Sequence, residues 1–558
     1  HLYLYSPLLA FFPSNSYWLV QMGNRQGCPD SRIVETCYGK VQGRRLIYKG
    51  DRQVDAFQGI PFAKPPVGKL RFKKPERLEN WNGIKETKKF GPRAIVTPFF
   101  NGFAENLLRG TPSEDCLYLN VFTPCWTAPE GGFPVMVFVH GGAFELGDAM
   151  LFGDTNICEN IVTRGVIFIT IQYRLGYLGF MTTGDAACPG NNGLWDQTAA
   201  LQWVNDNIQA FGGNKNNITL LGQSAGGASV DLLHLSPHST NLFHKVIPMA
   251  GTAECRWATN KNMPQQCRNK AARLGITEFK TSEELLQKLR AVPAEKFAVN
   301  FHKREKEPDV NLETVPVLDG DFFPESIDEM RKKAKRKPLM TGVCTEEGLF
   351  FIPGKKATEH DLNEVIDFAI HEAKDKSKFT TDLKAVYFPE GIPADKDVFM
   401  RRIANIASDY FFNAGTIELC RKTVALQDEA VYLYKFEHFN PKVMGFAGRQ
   451  LSIQDATHAS ELIYLFKKGL FTLTEVSLTD EDKHAMRLFT TAFTNFAKYG
   501  NPNGSNDGNT DLTVYWEPLD RLNHSRNFVF ASAQPYMNER FFEGRSAKFV
   551  ETVNKHRA

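Results

Sequence analysis

One short stretch limits the fold more than any other. Asn217-Ile218-Thr219-Leu220-Leu221-Gly222 is apolar and of strand length, and it runs with no linker into Gln223-Ser224-Ala225-Gly226-Gly227, which helix-compatible residues follow. A strand that turns at once into a helix needs small residues around the turn, because larger side chains two positions away on either side would collide. The pentapeptide Gly222-Gln223-Ser224-Ala225-Gly226 fits that need. Such a G-x-S-x-G pattern arises by chance in about one chain in five of this length, so its context carries the weight. In this context the turn lifts a serine hydroxyl clear of a sheet, at a helix N-terminus that favours negative charge.

The rest of the chain supplies that sheet. Residues 33–60 alternate with turn signals and predict a small antiparallel meander. Residues 134–140 and 165–174 read as buried strands, and residues 194–211 as an amphipathic helix stopped by Gly212-Gly213. Strand, helix and strand in this order predict an α/β fold, a central and mostly parallel sheet flanked by helices. Later strands are expected at 338–343 and 429–439, and a helix at 484–500 closed by Gly500. Residues 277–335 and 356–428 are more charged and helical in pattern, as insertions capping the sheet would be. The basic run Arg331–Lys337 is expected to be a solvated helix end.

A serine hydroxyl at neutral pH needs a base. Of the histidines after Ser224, His458 follows a late strand on a loop, within Asp455-Ala456-Thr457-His458; His438 is the alternative. An orienting carboxylate is expected after an earlier strand, where Glu346 and Glu347 stand side by side and the residues alone leave the choice open. Upstream, His140-Gly141-Gly142-Ala143-Phe144 follows a strand, and its small residues let N–H groups approach an oxyanion; the Ala225 N–H is a further donor.

These residues, with segments such as 57–72, 113–124, 173–180, 193–213, 235–245, 317–324 and 495–503, resemble the type-B carboxylesterase and cholinesterase family from about Ile33 onward. The resemblance implies the α/β-hydrolase fold, with helical insertions capping an active-site gorge, over a single domain spanning 22–558. It assigns the acid to Glu347, the base to His458 and the oxyanion donors to Gly142, Ala143 and Ala225. It implies a serine carboxylesterase acting on small apolar esters with no cofactor and no metal. A catalytically silent, adhesion-type binding protein is the alternative. The chain also departs from the family. Gln223 stands where Glu is usual, Ala250 replaces a supporting serine, and Asn106 replaces the indole that binds choline, which argues against acetylcholinesterase activity. Cys116 matches half of a family disulfide whose partner position is Ala94, and a second family disulfide falls at Ile276 and Lys288, so a cytoplasmic location is expected, with secretion or the endoplasmic reticulum lumen as alternatives.

Bulk properties exclude other classes. A net charge of +3, from 66 basic and 63 acidic residues, argues against nucleic-acid partners. No run of apolar residues is long enough for a membrane span. Residues 1–21 are expected to be a poorly ordered extension, Met22-Gly23-Asn24 reads as a start, and Gly23 or Cys28 offers a position for an N-terminal lipid anchor. Of the sequons at Asn217, Asn503 and Asn523, the first opens a core strand and is expected to be inaccessible.

Overall fold

The apolar runs pair into one mixed sheet. Its strands are β1 (Asp30–Thr36), β2 (Gly39–Ile47), β3 (Val54–Pro61), β4 (Ile84–Glu86), β5 (Tyr118–Pro124), β6 (Phe133–Val139), β7 (Ile167–Ile171), β8 (Gly213–Gln223), β9 (Lys245–Met249), β10 (Leu339–Cys344), β11 (Val431–Phe436), β12 (Asn527–Phe530) and β13 (Tyr536–Asn538). This computed structural model describes residues 27–47, 49–98, 106, 109–299, 312–352, 358–370, 373–444, 448, 451, 453–469, 472, 475–505 and 510–557. The expected extension 1–21 and Gly23 lie outside the described residues. Strand order is β1-β2-β3-β5-β7-β6-β8-β9-β10-β11-β12-β13, with β4 beside β2. The expected meander is β1–β3, antiparallel throughout. From β7 to β12 every pairing is parallel.

Parallel strands are covered on both faces, so they read as continuous apolar runs. In β6 the alternation splits cleanly: Val135, Val137 and Val139 enter the core on one face, Met136 and Phe138 the core on the other. Helices α1 (Asn192–Asn207) and α2 (Ala225–Leu235) cover the first face through residues such as Leu201, Val204 and Leu232. A third apolar cluster joins α3 (Glu359–Ile370), α4 (Lys376–Tyr387) and α5 (Lys396–Ser408), the expected helical insertion. Next come α6 (Ala414–Leu426), α7 (Asp480–Tyr499), which covers the second face with Phe489, Phe493 and Phe496, and α8 (Arg545–His556).

Boundaries moved where capping chemistry overrides apolar spacing. Helix α7 starts four residues before His484, because Thr479 and Asp482 form a reciprocal capping box, with Asp482 N–H donating to Thr479 Oγ1 at 3.2 Å and Thr479 N–H to Asp482 Oδ2 at 2.9 Å. It ends as expected at Gly500, whose φ is 72°. Helix α1 stops at Asn207, and residues Ile208–Phe211 tighten into a 3-10 turn before Gly212. Among the described residues no helix is long and apolar enough to cross a membrane.

The basic run is a correction. Lys332 and Lys333 are solvated, but Arg331 is 5% exposed and Lys337 2%. Arg331 donates to Asp231 on α2 at 3.0 and 2.8 Å and to Glu254 at 2.7 Å. Lys337 bonds Thr240 and lies over the Phe243 ring, and burial pushes its ammonium down to about 7. A charge run looks solvated until distant partners are known. Replacing Arg331 by Met strands the buried Asp231 carboxylate, while Glu254 keeps Lys422 at 2.6 Å. Denaturant unfolding is expected to show a loss of about 3–5 kcal/mol; an unchanged midpoint would refute the pairing as a stabilising element.

Candidate active site

The strands β8, β10 and β11 lie near one another in the parallel part of the sheet, and their carboxyl ends deliver three side chains to one place. This is where ligands bind in open α/β sheets. Ser224 sits between β8 and α2 at φ 58°, ψ −126°. Such backbone costs about 1–3 kcal/mol and persists only where its surroundings hold it. Here they do. Ser224 N–H donates to Met249 O at 2.8 Å and Ser224 O accepts from Ala228 N–H at 2.9 Å. The turn lies tight against β6, so a Cβ on Gly226 would stand 2.1 Å from Val139 O.

The loop after β10 carries Glu347, and the loop after β11 carries His458. His458 Nδ1 lies 2.6 Å from Glu347 Oε2, and its Nε2 lies 2.9 Å from Ser224 Oγ. Glu347 is fully buried, and its other oxygen accepts the Cys344 N–H at 2.7 Å. With Nδ1–H donated to the carboxylate, Nε2 is free to accept the serine proton. The Gln223 amide nitrogen lies 3.4 Å from that same Nε2, so the expected neighbour of the base touches it.

His140–Phe144 folds against the serine. A Cβ on Gly141 would meet Gln223 O at 2.4 Å and Ser224 Cβ at 3.0 Å. Ala143 and Phe144 both have positive φ, 58° and 59°. Tyr173 Oη donates to His140 O at 2.8 Å, its ring stacks on the imidazole at 4.5 Å, and Gly176 N–H donates to Phe144 O at 2.8 Å. Burial pushes His140 down, keeping that ring neutral. Among the described residues no backbone carbonyl takes the Gly142 or Ala143 N–H, and Ala225 opens α2, where helix N–H groups have no intrahelical partner.

Three features were not anticipated. Phe412 stacks on His458, with ring centres 4.3 Å apart and planes 20° from parallel. It belongs to a π-helical turn, Asp409–Asn413, between α5 and α6, and apolar spacing does not distinguish such a turn from an ordinary helix. Phe350 and Phe351 also approach the imidazole, and Phe351 stacks on Phe411. Glu461, fully buried, receives the Cys344 thiol at 2.9 Å; burial first, then the Glu347 charge, push its carboxyl well up, so it holds its proton. Glu346 points away from the imidazole and bonds Arg401 at 2.7 Å, and burial pushes it up to about 7. His438, the alternative base, is instead tied to Asp482 at 2.9 Å and Ser532 at 3.0 Å. Ala250, where the family serine is replaced, is buried, with its N–H on Gly342 O at 2.9 Å.

With this geometry in place, sequence comparison gives a consistent picture. The model of the carboxylesterase family matches residues 30–548. Esterase cest-33 of Caenorhabditis elegans is 38% identical over 526 residues, covering 92% of this chain and 93% of its own. Esterase FE4 of Myzus persicae is 31% identical over 549 residues, covering 93% and 92%. Liver carboxylesterase 1 of Oryctolagus cuniculus is 31% identical over 515 residues, covering 85% and 86%.

The tight turn predicts a sensitive position. Replacing Gly226 by Ala is expected to lower stability by about 3 kcal/mol, since the added carbon overlaps a carbonyl that sheet hydrogen bonds hold in place. Chemical denaturation measures it, and a midpoint equal to that of the unaltered chain would contradict the packing.

Proposed function

Because this chain belongs to the carboxylesterase family, we propose that it hydrolyses carboxylic esters through an acyl-enzyme on Ser224, with His458 as base and Glu347 as orienting acid. One observation carries the reading: the continuous hydrogen-bonded path from Ser224 Oγ through the imidazole to Glu347 Oε2, with steps of 2.9 and 2.6 Å.

In the first step Ser224 Oγ attacks the ester carbonyl as His458 Nε2 takes its proton. The imidazolium is stabilised by the Glu347 carboxylate at Nδ1. The N–H groups of Gly142, Ala143 and Ala225 receive the oxyanion, and losing one such donor typically costs about 10²–10³ in rate. His458 then protonates the departing alkoxide. In the second step water attacks the acyl-enzyme by the same proton path. Each transfer runs between named groups, and none calls on a metal or an organic cofactor.

The aromatic residues Phe350, Phe351 and Phe412 around His458, with Phe411 stacked behind Phe351, support an apolar ester as substrate. A reducing compartment is the proposed location: all ten cysteines are free thiols, and Asn217 and Asn503 are tied up, with Asn217 Nδ2 on Lys498 O at 3.2 Å and Asn503 Nδ2 on Trp516 O at 2.9 Å.

Two measurements test the reading. Ser224→Ala is expected to abolish labelling by a fluorophosphonate probe and turnover of short-chain nitrophenyl esters. A wild-type chain that takes no label and turns over no ester across a panel of acyl sizes would favour a silent binding protein instead. Gln223→Glu introduces a carboxylate about 3.4 Å from the ring, which favours the imidazolium. The acid limb of the kcat/KM profile should therefore move to higher pH, and an unmoved limb would show that residue 223 does not act on the base.

A further inference from the structure

Glu347 and His458 reach each other from loops on two strands, β10 and β11, so their 2.6 Å contact depends on how those loops are held. One tie is backbone: Glu346 N–H donates to Ala456 O at 2.8 Å. Another comes from the helical insertion. Arg401, on α5, directs a single nitrogen, Nη1, at both loops at once, donating to Glu346 Oε1 at 2.7 Å and to Asp455 Oδ2 at 2.9 Å. Glu346 directly precedes Glu347, and Asp455 stands three residues before His458. The second oxygen of Asp455 accepts the Ala456 N–H at 2.8 Å, which fixes the turn leading to the histidine. Farther along the same helix Ser408 Oγ accepts the Gly348 N–H at 2.8 Å, so α5 grips the acid loop on both sides of Glu347.

The burial of these groups is unequal. The Glu346 side chain is 4% exposed and that of Asp455 20%, while Arg401 itself is 43% exposed. A half-exposed arginine that only decorated the surface would be worth little. This one supplies a bond to a carboxylate whose other oxygen has no partner among the described residues. Without it a buried carboxyl group loses its hydrogen bond beside the acid, and the two loops are left with the backbone tie from Glu346 to Ala456.

We propose that Arg401 is a positioning residue that holds the Glu347 loop and the His458 loop in register. The inference rests on the assignment of Glu347 and His458 as an acid–base pair. Arg401 touches neither side chain; it acts through Glu346 and Asp455. A displacement of about 1 Å in such a pair costs up to about 10²-fold in rate, so the clamp affects turnover more than substrate binding.

The test compares the full-length wild type with Arg401→Met by two readouts. The first is the downfield proton resonance of the His458 Nδ1–H donated to Glu347, observed without substrate. The second is turnover of a short-chain nitrophenyl ester, normalised to sites titrated by a fluorophosphonate. The expected result is a resonance moved upfield or broadened away, with kcat lowered about tenfold or more and KM changed by less than about threefold. Should Arg401→Met not fold, Asp455→Asn removes the charge from the more exposed end and is expected to shift the same resonance. A resonance at its wild-type position with kcat within twofold of wild type would overturn the clamp. A wild type that turns over no ester refutes the esterase reading, and the resonance still decides the clamp.

Discussion

A serine backbone held at φ 58°, ψ −126° is unstable in isolation, and much of this molecule is arranged to keep it there. The strain is opposed by hydrogen bonds from neighbouring strands: Ser224 N–H on Met249 O, and Ala250 N–H on Gly342 O one strand farther on. Those bonds need β8, β9 and β10 parallel and in register, which the pairings Gln223↔Met249 and Gly342↔Met249 provide. The parallel sheet needs crossovers, and the crossovers need helices with one apolar face. The long insertions then hang from the carboxyl ends of the strands, where the half-buried hydroxyl is presented. Fold and site are thus one constraint read at two scales.

The electrostatics follow from burial. Glu347, Glu461, Gln223 and His458 are all at most 4% exposed. Several like charges in so small a volume would repel strongly, and desolvation would add to the cost. The structure holds one of them neutral: Glu461 keeps its proton because burial and the Glu347 charge both disfavour its ionised form. Gln223 is neutral by composition. In the proposed acyl transfer a cationic His458 would form a single pair with Glu347, and the net charge of that pair is zero. The proposed oxyanion would meet fixed N–H dipoles, which need no reorganisation during the reaction.

How much of this was legible in the sequence depended on the range of the cause. The turn at Ser224 is local, so the small residues around it were enough to identify it. His458 was legible because a loop after a late strand is a local feature as well. The choice between Glu346 and Glu347 was not, because both are buried neighbours: one side chain turns to His458, the other to Arg401. The residues alone left both candidates standing, and only the family resemblance separated them. Arg331 was misread for a related reason. Its partners Asp231 and Glu254 lie 100 and 77 residues away, so nothing in the run RKKAKRK marks Arg331 as buried. Phe412 was hidden in a helical pattern, since one π-helical turn rotates a side chain without changing the composition.

The aromatic wall completes the same logic from the apolar side. An imidazole flanked by Phe412 on its face and by Phe350 and Phe351 at greater distance is shielded from water. Shielding strengthens the bond to Glu347 and limits the ring's freedom to rotate away from the serine. The same rings leave an apolar surface beside the base, the observation on which the proposed apolar ester rests. A change at Phe412 would therefore act first on the orientation of the imidazole, because that ring lies flat against it.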